Sequence, residues 1–278
     1  MQNYQYDNHE ETNLKTLLAY RHIDLLGKNI CYFREVTSTN SIAKFMAQFK
    51  APEGTIVMSS FQKTGRGRMQ RQWFCPPGQG ILMSMVLRPK THMQFLPQLT
   101  LLTAVVVAET IQKVTGCEAG IKWPNDILIN GKKVCGILAE SSFSSGSPEY
   151  VIMGLGINVN LDTDQLPPDC RETSTSLKIE LGRRVSRYCL LKDFLNIWEE
   201  YYQCFLHDGN AYLRPKWIDN NVTLGRYVTI IKENEALHGR AVDITARGGL
   251  MVSFADERLE EFLAEDLTLG KTHYERRL

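Results

Sequence analysis

The sequence predicts an α+β protein in two parts, a β-sheet carrying helices followed by a small antiparallel β barrel. Three observations lead there. Apolar runs of strand length are interleaved with helical patterns from Asn29 to about Asn160. A long helical pattern covers Ser186 to Tyr212. After Pro215 the texture changes to short alternating runs cut by turn residues.

Taken in order, Met1 to about Lys28 is a short, mostly polar leader with one helical patch, Leu14–Tyr20. Its start is polar and acidic, so no signal peptide is expected. Strands are predicted over Ile30–Glu35, Thr55–Phe61, Ile81–Leu87, Ile127–Ile129, Val134–Glu140 and Val151–Val159, and helices over Asn40–Phe49 and Leu99–Val114. The uncharged stretch Thr91–Ala108 is interrupted by Gln94, Pro97 and Gln98, so it reads as a buried helix ended by Gly116 and not as a membrane span. Leu190, Phe194, Ile197, Trp198, Tyr201 and Phe205 repeat at helical spacing. Strands at Tyr227–Lys232, Ala241–Thr245 and Leu250–Phe254 are separated by Glu233-Asn234 and Gly248-Gly249. These patterns divide the chain into a leader (1–28), a larger unit (29–220) and a C-terminal unit (221–278).

Composition removes several function classes. Lys and Arg number 32 against 31 Asp and Glu, so no global field draws the protein to nucleic acid or an anionic membrane. Anion affinity must be local. The 7 cysteines are odd in number and none forms a C-x-x-C pair, which argues against a zinc site or a disulfide framework and for a reduced, cytoplasmic protein.

Four segments carry chemistry. Ser38-Thr39-Asn40 lies between a strand and a helix, where it either caps the helix or offers hydroxyls and amides to a polar ligand. Gln62 ends a strand and leads into Gly65-Arg66-Gly67-Arg68-Met69-Gln70-Arg71-Gln72-Trp73. Glycine allows amides to turn toward a guest, and arginine brings a forked donor for phosphate or carboxylate. Trp73 is expected to pack the loop base.

Lys122-Trp123-Pro124-Asn125-Asp126 leads into a hairpin turning at Asn130-Gly131. A two-residue turn pairs Ile129 with Lys132 and Leu128 with Lys133. Regular continuation sets Asp126 opposite Cys135, with Asp126, Leu128, Lys133 and Cys135 on one face. Asp126 and Lys133 would then flank a gap fit for a phosphate, with a metal ion on the acid side. In Val151–Asn160, one face is wholly apolar and the other carries Gly154, Gly156, Asn158 and Asn160. Glycines in mid-strand imply that something approaches the backbone closely. A dinucleotide fingerprint lacks its third glycine and its helix here.

Together and in this order, Ser38-Thr39-Asn40, the Gly65-Arg66-Gly67-Arg68…Arg71-x-Trp73 loop, Lys122-Trp123-Pro124-Asn125-Asp126, Gly131-Lys132-Lys133…Gly136-Ile137-Leu138…Glu140 and Gly154-x-Gly156-Ile157-Asn158 resemble the biotin protein ligases. The resemblance implies a mixed sheet backed by helices, like the core of class II aminoacyl-tRNA synthetases, and an SH3-like C-terminal barrel. It implies that biotin and ATP react, with Mg2+, to give biotinyl-adenylate, and that the biotinyl group passes to one lysine of a biotin carboxyl carrier domain of acetyl-CoA carboxylase type.

By motif, Ser38, Thr39, Asn40 and Gln62 would hold the biotin rings, and Gly136 would floor their pocket. Gly65, Arg66, Gly67 and Arg68 would cover the carboxylate and the adenylate phosphate. Lys133 would contact both biotin carboxylate and α-phosphate, making Lys133 and Arg68 the catalytic pair. Asn125, Asp126 and Asn158 would face nucleotide and magnesium, with Asp126 the metal ligand, and Arg71 and Lys122 would serve the phosphates. The family loop commonly reads Gly-Arg-Gly-Arg-x-Gly-Arg, whereas Met69-Gln70 stand here and the later glycine is absent. The leader is too short for a winged helix-turn-helix, so no DNA partner is expected, and the protein is expected as a monomer or an edge-to-edge homodimer. The competing readings are a lipoate–protein ligase, which shares the acyl-adenylate strategy, and a nucleic-acid-binding module.

Overall fold

The structure is a computed structural model that describes residues 25–89, 96–144, 147–208, 212–232, 235–263 and 266–270. The helical patch read at Leu14–Tyr20 lies outside these residues. A seven-stranded sheet is built from β1 (Ile30–Val36), β2 (Ile56–Gln62), β3 (Gly80–Leu87), β4 (Gly120–Lys122), β5 (Asp126–Ile129), β6 (Lys132–Ser144) and β7 (Ser147–Asn158). Its order is β1-β2-β3-β7-β6-β5-β4. Only β1 and β2 run parallel among neighbours, so the sheet is mixed.

Alternation along the strands decides which helix covers which face. Val57, Val86, Tyr150 and Ile152 point to one side, under α1 (Thr39–Gln48), and pack with Ala43 and Ala47. Ile56, Met58, Met85, Leu87, Met153, Leu155 and Ile157 point to the other side, into the main core. That core is covered by α2 (Leu96–Thr115) and α4 (Arg187–Asp208). The indole of Trp198 in α4 donates to Thr103 Oγ1 of α2 at 3.1 Å, which satisfies a polar atom in an otherwise apolar contact. Glu199, 7% exposed, accepts the amides of Leu25 and Leu26 at 2.9 and 2.8 Å and so pins the chain entering β1.

The predicted strands and helices of this part recur with ends shifted by a few residues. The three-residue β4 has no sequence signal of its own, and neither do the short helices α3 (Leu177–Leu181) and α5 (Leu213–Asn220). A second, five-stranded antiparallel sheet follows, ordered β11-β10-β9-β8-β12. Its strands are β8 (Tyr227–Lys232), β9 (Glu235–Ile244), β10 (Leu250–Ser253), β11 (Leu259–Phe262) and β12 (Asp266–Leu269). It joins the larger sheet through the Lys122–Asp126 segment. Trp123 donates its backbone N–H to Thr223 Oγ1 at 2.9 Å and its indole N–H to Gly248 O at 3.2 Å.

Candidate active site

A cleft of about 690 Å³ opens at the ends of β2, β5, β6 and β7. Its wall includes Ser38, Thr39, Asn40, Gln62, Arg66, Gly67, Arg68, Arg71, Lys122, Asn125, Asp126, Lys133, Gly136 and Asn158. Sequence reading therefore selected side chains from five separate stretches that the fold brings to one place. Gly65 is the exception. It lies behind the wall, its carbonyl accepting from Trp73 N at 2.9 Å, and a Cβ there would meet Trp73 O at 2.4 Å. Its role is to let the loop base close.

At one end of the cleft, Ser38 occupies the N-cap position of α1, yet its hydroxyl makes no capping bond. Gln62 Oε1 accepts from Thr39 N at 2.7 Å. Ser84 Oγ lies 2.8 Å from Thr39 Oγ1 and 2.6 Å from Asn40 Oδ1. Asn40 Nδ2 donates to Glu140 Oε2 at 2.7 Å and to Leu138 O at 3.3 Å. Both side-chain N–H groups of Asn40 are thus committed to protein, so its side chain shapes the pocket and has no N–H left to donate to a ligand.

The arginine loop folds back on itself. Gly67 N donates to Arg71 O at 2.7 Å and Arg71 N to Arg68 O at 3.0 Å. At the tip, Met69 and Gln70 both take positive φ, 51° and 59°. Arg66 crosses to Glu140 at 2.9 Å and Arg68 to Asn125 Oδ1 at 3.0 Å, so the loop spans the cleft with a foot on each side.

The hairpin turns at Asn130 and Gly131, with φ of 50° and 78°, and pairs Ile129 with Lys132 and Leu128 with Lys133 as expected. Beyond that the expected register is overturned. Ile127 pairs with Cys135 and Asp126 with Gly136, because the ladder shifts between Ile127 and Leu128 and leaves Val134 as an extra, bulged residue. The bulge turns Cys135 into the core, where it is 0% exposed and burial drives its thiol pKa up. Asp126 and Lys133 keep a common face, but no phosphate-sized gap separates them. Lys133 Nζ sits 2.6 Å from Asp126 Oδ1 as an ion pair without hydrogen-bond alignment.

The close approach to β7 is made by protein side chains. A Cβ on Gly154 would stand 2.1 Å from Asn40 Oδ1, and one on Gly156 would stand 2.5 Å from the Trp73 ring. Trp73 therefore does more than pack the loop base. Its indole lies in the cleft against the glycine floor, with Lys133 Nζ 5.6 Å from the ring centre. Asn158 donates Nδ2 to Thr175 O at 3.0 Å, while its buried Oδ1 has no hydrogen-bond partner among the described residues. Asn160, read beside it, instead clamps Val185 from both amide atoms at 3.0 and 2.9 Å.

Sequence reasoning missed further parts of the wall. Leu166, Pro167, Asp169, Cys170, Thr173 and Ser174 line the cleft from the connection after β7, and Thr268 and Leu269 from β12. Lys133 O accepts from Thr175 N at 2.9 Å and Lys133 N donates to Thr173 O at 2.8 Å, so that connection lies along the strand carrying the lysine. Ser84, buried behind the wall, does carry a signal, a hydroxyl inside the apolar run Ile81–Leu87. The irregular connection offered none.

The model described as Biotin/lipoate A/B protein ligase family matches residues 32–158, and that described as Biotin protein ligase C terminal domain matches 223–263. The bifunctional ligase/repressor BirA of Bacillus spizizenii is 36% identical over 247 residues, covering 89% of this chain and 76% of that protein. The chain belongs to the biotin protein ligase family. A second relative, the biotin–[acetyl-CoA-carboxylase] ligase of Paracoccus denitrificans, is 30% identical over 207 residues, 70% of this chain and 82% of that protein. Among solved structures, the biotin protein ligase from Aquifex aeolicus in complex with biotin and ATP is 27% identical with a TM-score of 0.75, covering 88% of this chain and all of that one. The family's mixed sheet and C-terminal antiparallel sheet are both present. No helix among the described residues is long and apolar enough to cross a membrane.

Proposed function

We propose that this chain is an ATP-dependent ligase that activates biotin as biotinyl-5′-AMP and transfers it to a lysine of a biotin carboxyl carrier domain of acetyl-CoA carboxylase. One observation carries this reading: Arg66 and Arg68 from one stretch, and Lys122 and Lys133 from another more than fifty residues on, line a single cleft with the amides of Asn125 and Asn158. A carboxylate and a triphosphate repel each other in water. Fixed cations and amide dipoles aimed at the α-phosphate remove that repulsion in advance.

In the first step an oxygen of the biotin carboxylate bonds to the α-phosphorus and the bond to pyrophosphate breaks. In the second, the acceptor amine bonds to the acyl carbon, AMP leaves, and the amine gives up a proton. Lys133 would neutralise carboxylate and α-phosphate together, exchanging its ion pair with Asp126 for the two substrate anions. Arg68 would hold the phosphate from the loop side, and Arg66 with Gly67 would cover the acyl group against water. Ser38, Thr39 and Gln62 would address the ureido ring over Gly136. The unpartnered Oδ1 of Asn158 suits a nucleotide donor. Arg71 and Lys122 would meet the outgoing phosphates.

The donor set suits a magnesium ion that travels on ATP. Among the described residues no three His, Cys, Asp or Glu side chains could hold a metal, and magnesium commonly takes one or two carboxylates plus phosphates. Asp126 is the carboxylate in place. When bound, the ion would supply further charge neutralisation on the phosphates. We also read the larger sheet as a core of class II aminoacyl-tRNA synthetase type, the second sheet as an SH3-like barrel beginning near Asn220, and the protein as cytoplasmic.

The test is biotin-dependent exchange of label between pyrophosphate and ATP. Wild type should exchange, and Lys133→Ala should lose a factor of about 10²–10³ with its melting temperature kept. Near-normal exchange in the variant would remove Lys133 from the mechanism. The same assay with lipoate in place of biotin tests the lipoate ligase alternative.

A further inference from the structure

Glu140 stands on β6 just behind the cleft wall, and one of its oxygens serves two elements at once. Oε2 accepts from Arg66 Nη2 of the arginine loop at 2.9 Å and from Asn40 Nδ2 at the start of α1 at 2.7 Å. The chain of bonds continues inward. Asn40 Oδ1 can only accept, so Ser84 donates to it at 2.6 Å; Ser84 Oγ also lies 2.8 Å from Thr39 Oγ1, whose hydroxyl donates to Gln62 Oε1 at 3.1 Å. Gln62 Oε1 takes the Thr39 amide at 2.7 Å, and Gln62 Nε2 packs against the loop base, 3.1 Å from where a Cβ on Gly65 would stand. The relay leaves the loop at Arg66 and runs through Asn40, Thr39 and Gln62, residues read as the ring pocket, to end beside Gly65 at the loop base.

We propose that Glu140 is a positioning residue that ties the arginine loop to the ring end of the cleft, so that filling one sets the posture of the other. This rests on the ligase reading of the same cleft. The physical reason is directional. An asparagine amide has two orientations of nearly equal shape, and Glu140, at 2.7 Å the nearer of the two acceptors of Asn40 Nδ2 beside Leu138 O at 3.3 Å, holds the N–H side outward and the oxygen toward Ser84. The side chains of Arg66 and Glu140 are 44% and 27% exposed, so water screens their attraction. Glu140 acts by fixing geometry, with little to add to stability.

Glu140→Gln keeps size and shape but brings a competing N–H. It should raise the KM for biotin about tenfold in the exchange assay, the effect of losing one charge-assisted hydrogen bond. Its kcat should stay within about twofold. Trypsin should also cut the ligand-free full chain after Arg66 and Arg68 several-fold faster than in wild type. A purely structural role would instead lower the active fraction, and so kcat, without moving KM. Wild-type biotin KM together with wild-type loop cleavage would overturn the proposal. Should Glu140→Gln not fold, Ser84→Ala breaks the relay away from the loop and should raise the biotin KM likewise; an unchanged KM there would overturn it too. If wild type shows no biotin-dependent exchange, the ligase reading fails, and the cleavage comparison alone still decides whether Glu140 holds the loop.

Discussion

Gln70 carries the clearest consequence at the scale of a single residue. It stands where the family loop commonly has glycine, and its φ of 59° follows the 51° of Met69. Two successive left-handed residues form a tip that favours Asn-Gly, and a residue with a Cβ is strained there by roughly 1 kcal/mol. Gln70→Gly should relax the tip and slow tryptic cleavage after Arg68 in the ligand-free protein by roughly two- to fivefold, less whatever entropy glycine adds to the open loop. Equal or faster cleavage would show that the strain is not felt. The departure at Met69-Gln70 is legible in the sequence, but the handedness that makes it matter is not, because φ is set by how the backbone of Gly67 and Arg68 closes onto that of Arg71 across the tip. Lys133 and Arg68 were legible for the opposite reason, since permanent charges spaced by glycines have few uses inside a fold.

Among the elements, β7 is the one whose sequence foretold its shape and misdirected its meaning. Its apolar face lies in the core as the alternation requires, and its glycine face lines the cleft. The glycines make room for Asn40 and Trp73, two side chains from elsewhere in the chain. Gly154→Ala would thrust a methyl to 2.1 Å from Asn40 Oδ1. It should cost about 1–3 kcal/mol in urea unfolding and weaken biotin binding, as expected of overpacking. A neutral result would mean that Asn40 moves freely. The β5–β6 hairpin shows what periodicity cannot supply. Its turn and first pairs follow from Asn130-Gly131, but the bulge at Val134 arises from competition between faces. Val134 and Cys135 are both apolar and both 0% exposed, so the strand buries both and the alternation breaks between them.

For the whole molecule, the core sets a limit at high pH. None of the seven cysteines is in a disulfide among the described residues. Burial pushes the Cys75 thiol up to about 12 and raises that of Cys135 as well, against coulombic help from Arg187 and Lys133 respectively. Above the ordinary thiol range the unfolded chain releases protons that the folded chain keeps, so the thiols' contribution, full below that range, is lost as pH rises toward 12. The urea midpoint should fall between about pH 8 and pH 10.5, and less so in a Cys75→Ala variant. An equal fall in both would acquit Cys75. The larger sheet was legible because every strand but the three-residue β4 carries its own pattern. The contacts joining the two sheets were not, because Trp123 and Gly248 lie 125 residues apart and neither signals the other. The most direct measurement of the central claim is the intact mass of a biotin carboxyl carrier domain after incubation with this protein, ATP, Mg2+ and biotin. The carrier should gain one biotinyl group, and only when ATP and biotin are both present; a carrier of unchanged mass, with no biotinyl-adenylate formed, would rule out the ligase chemistry.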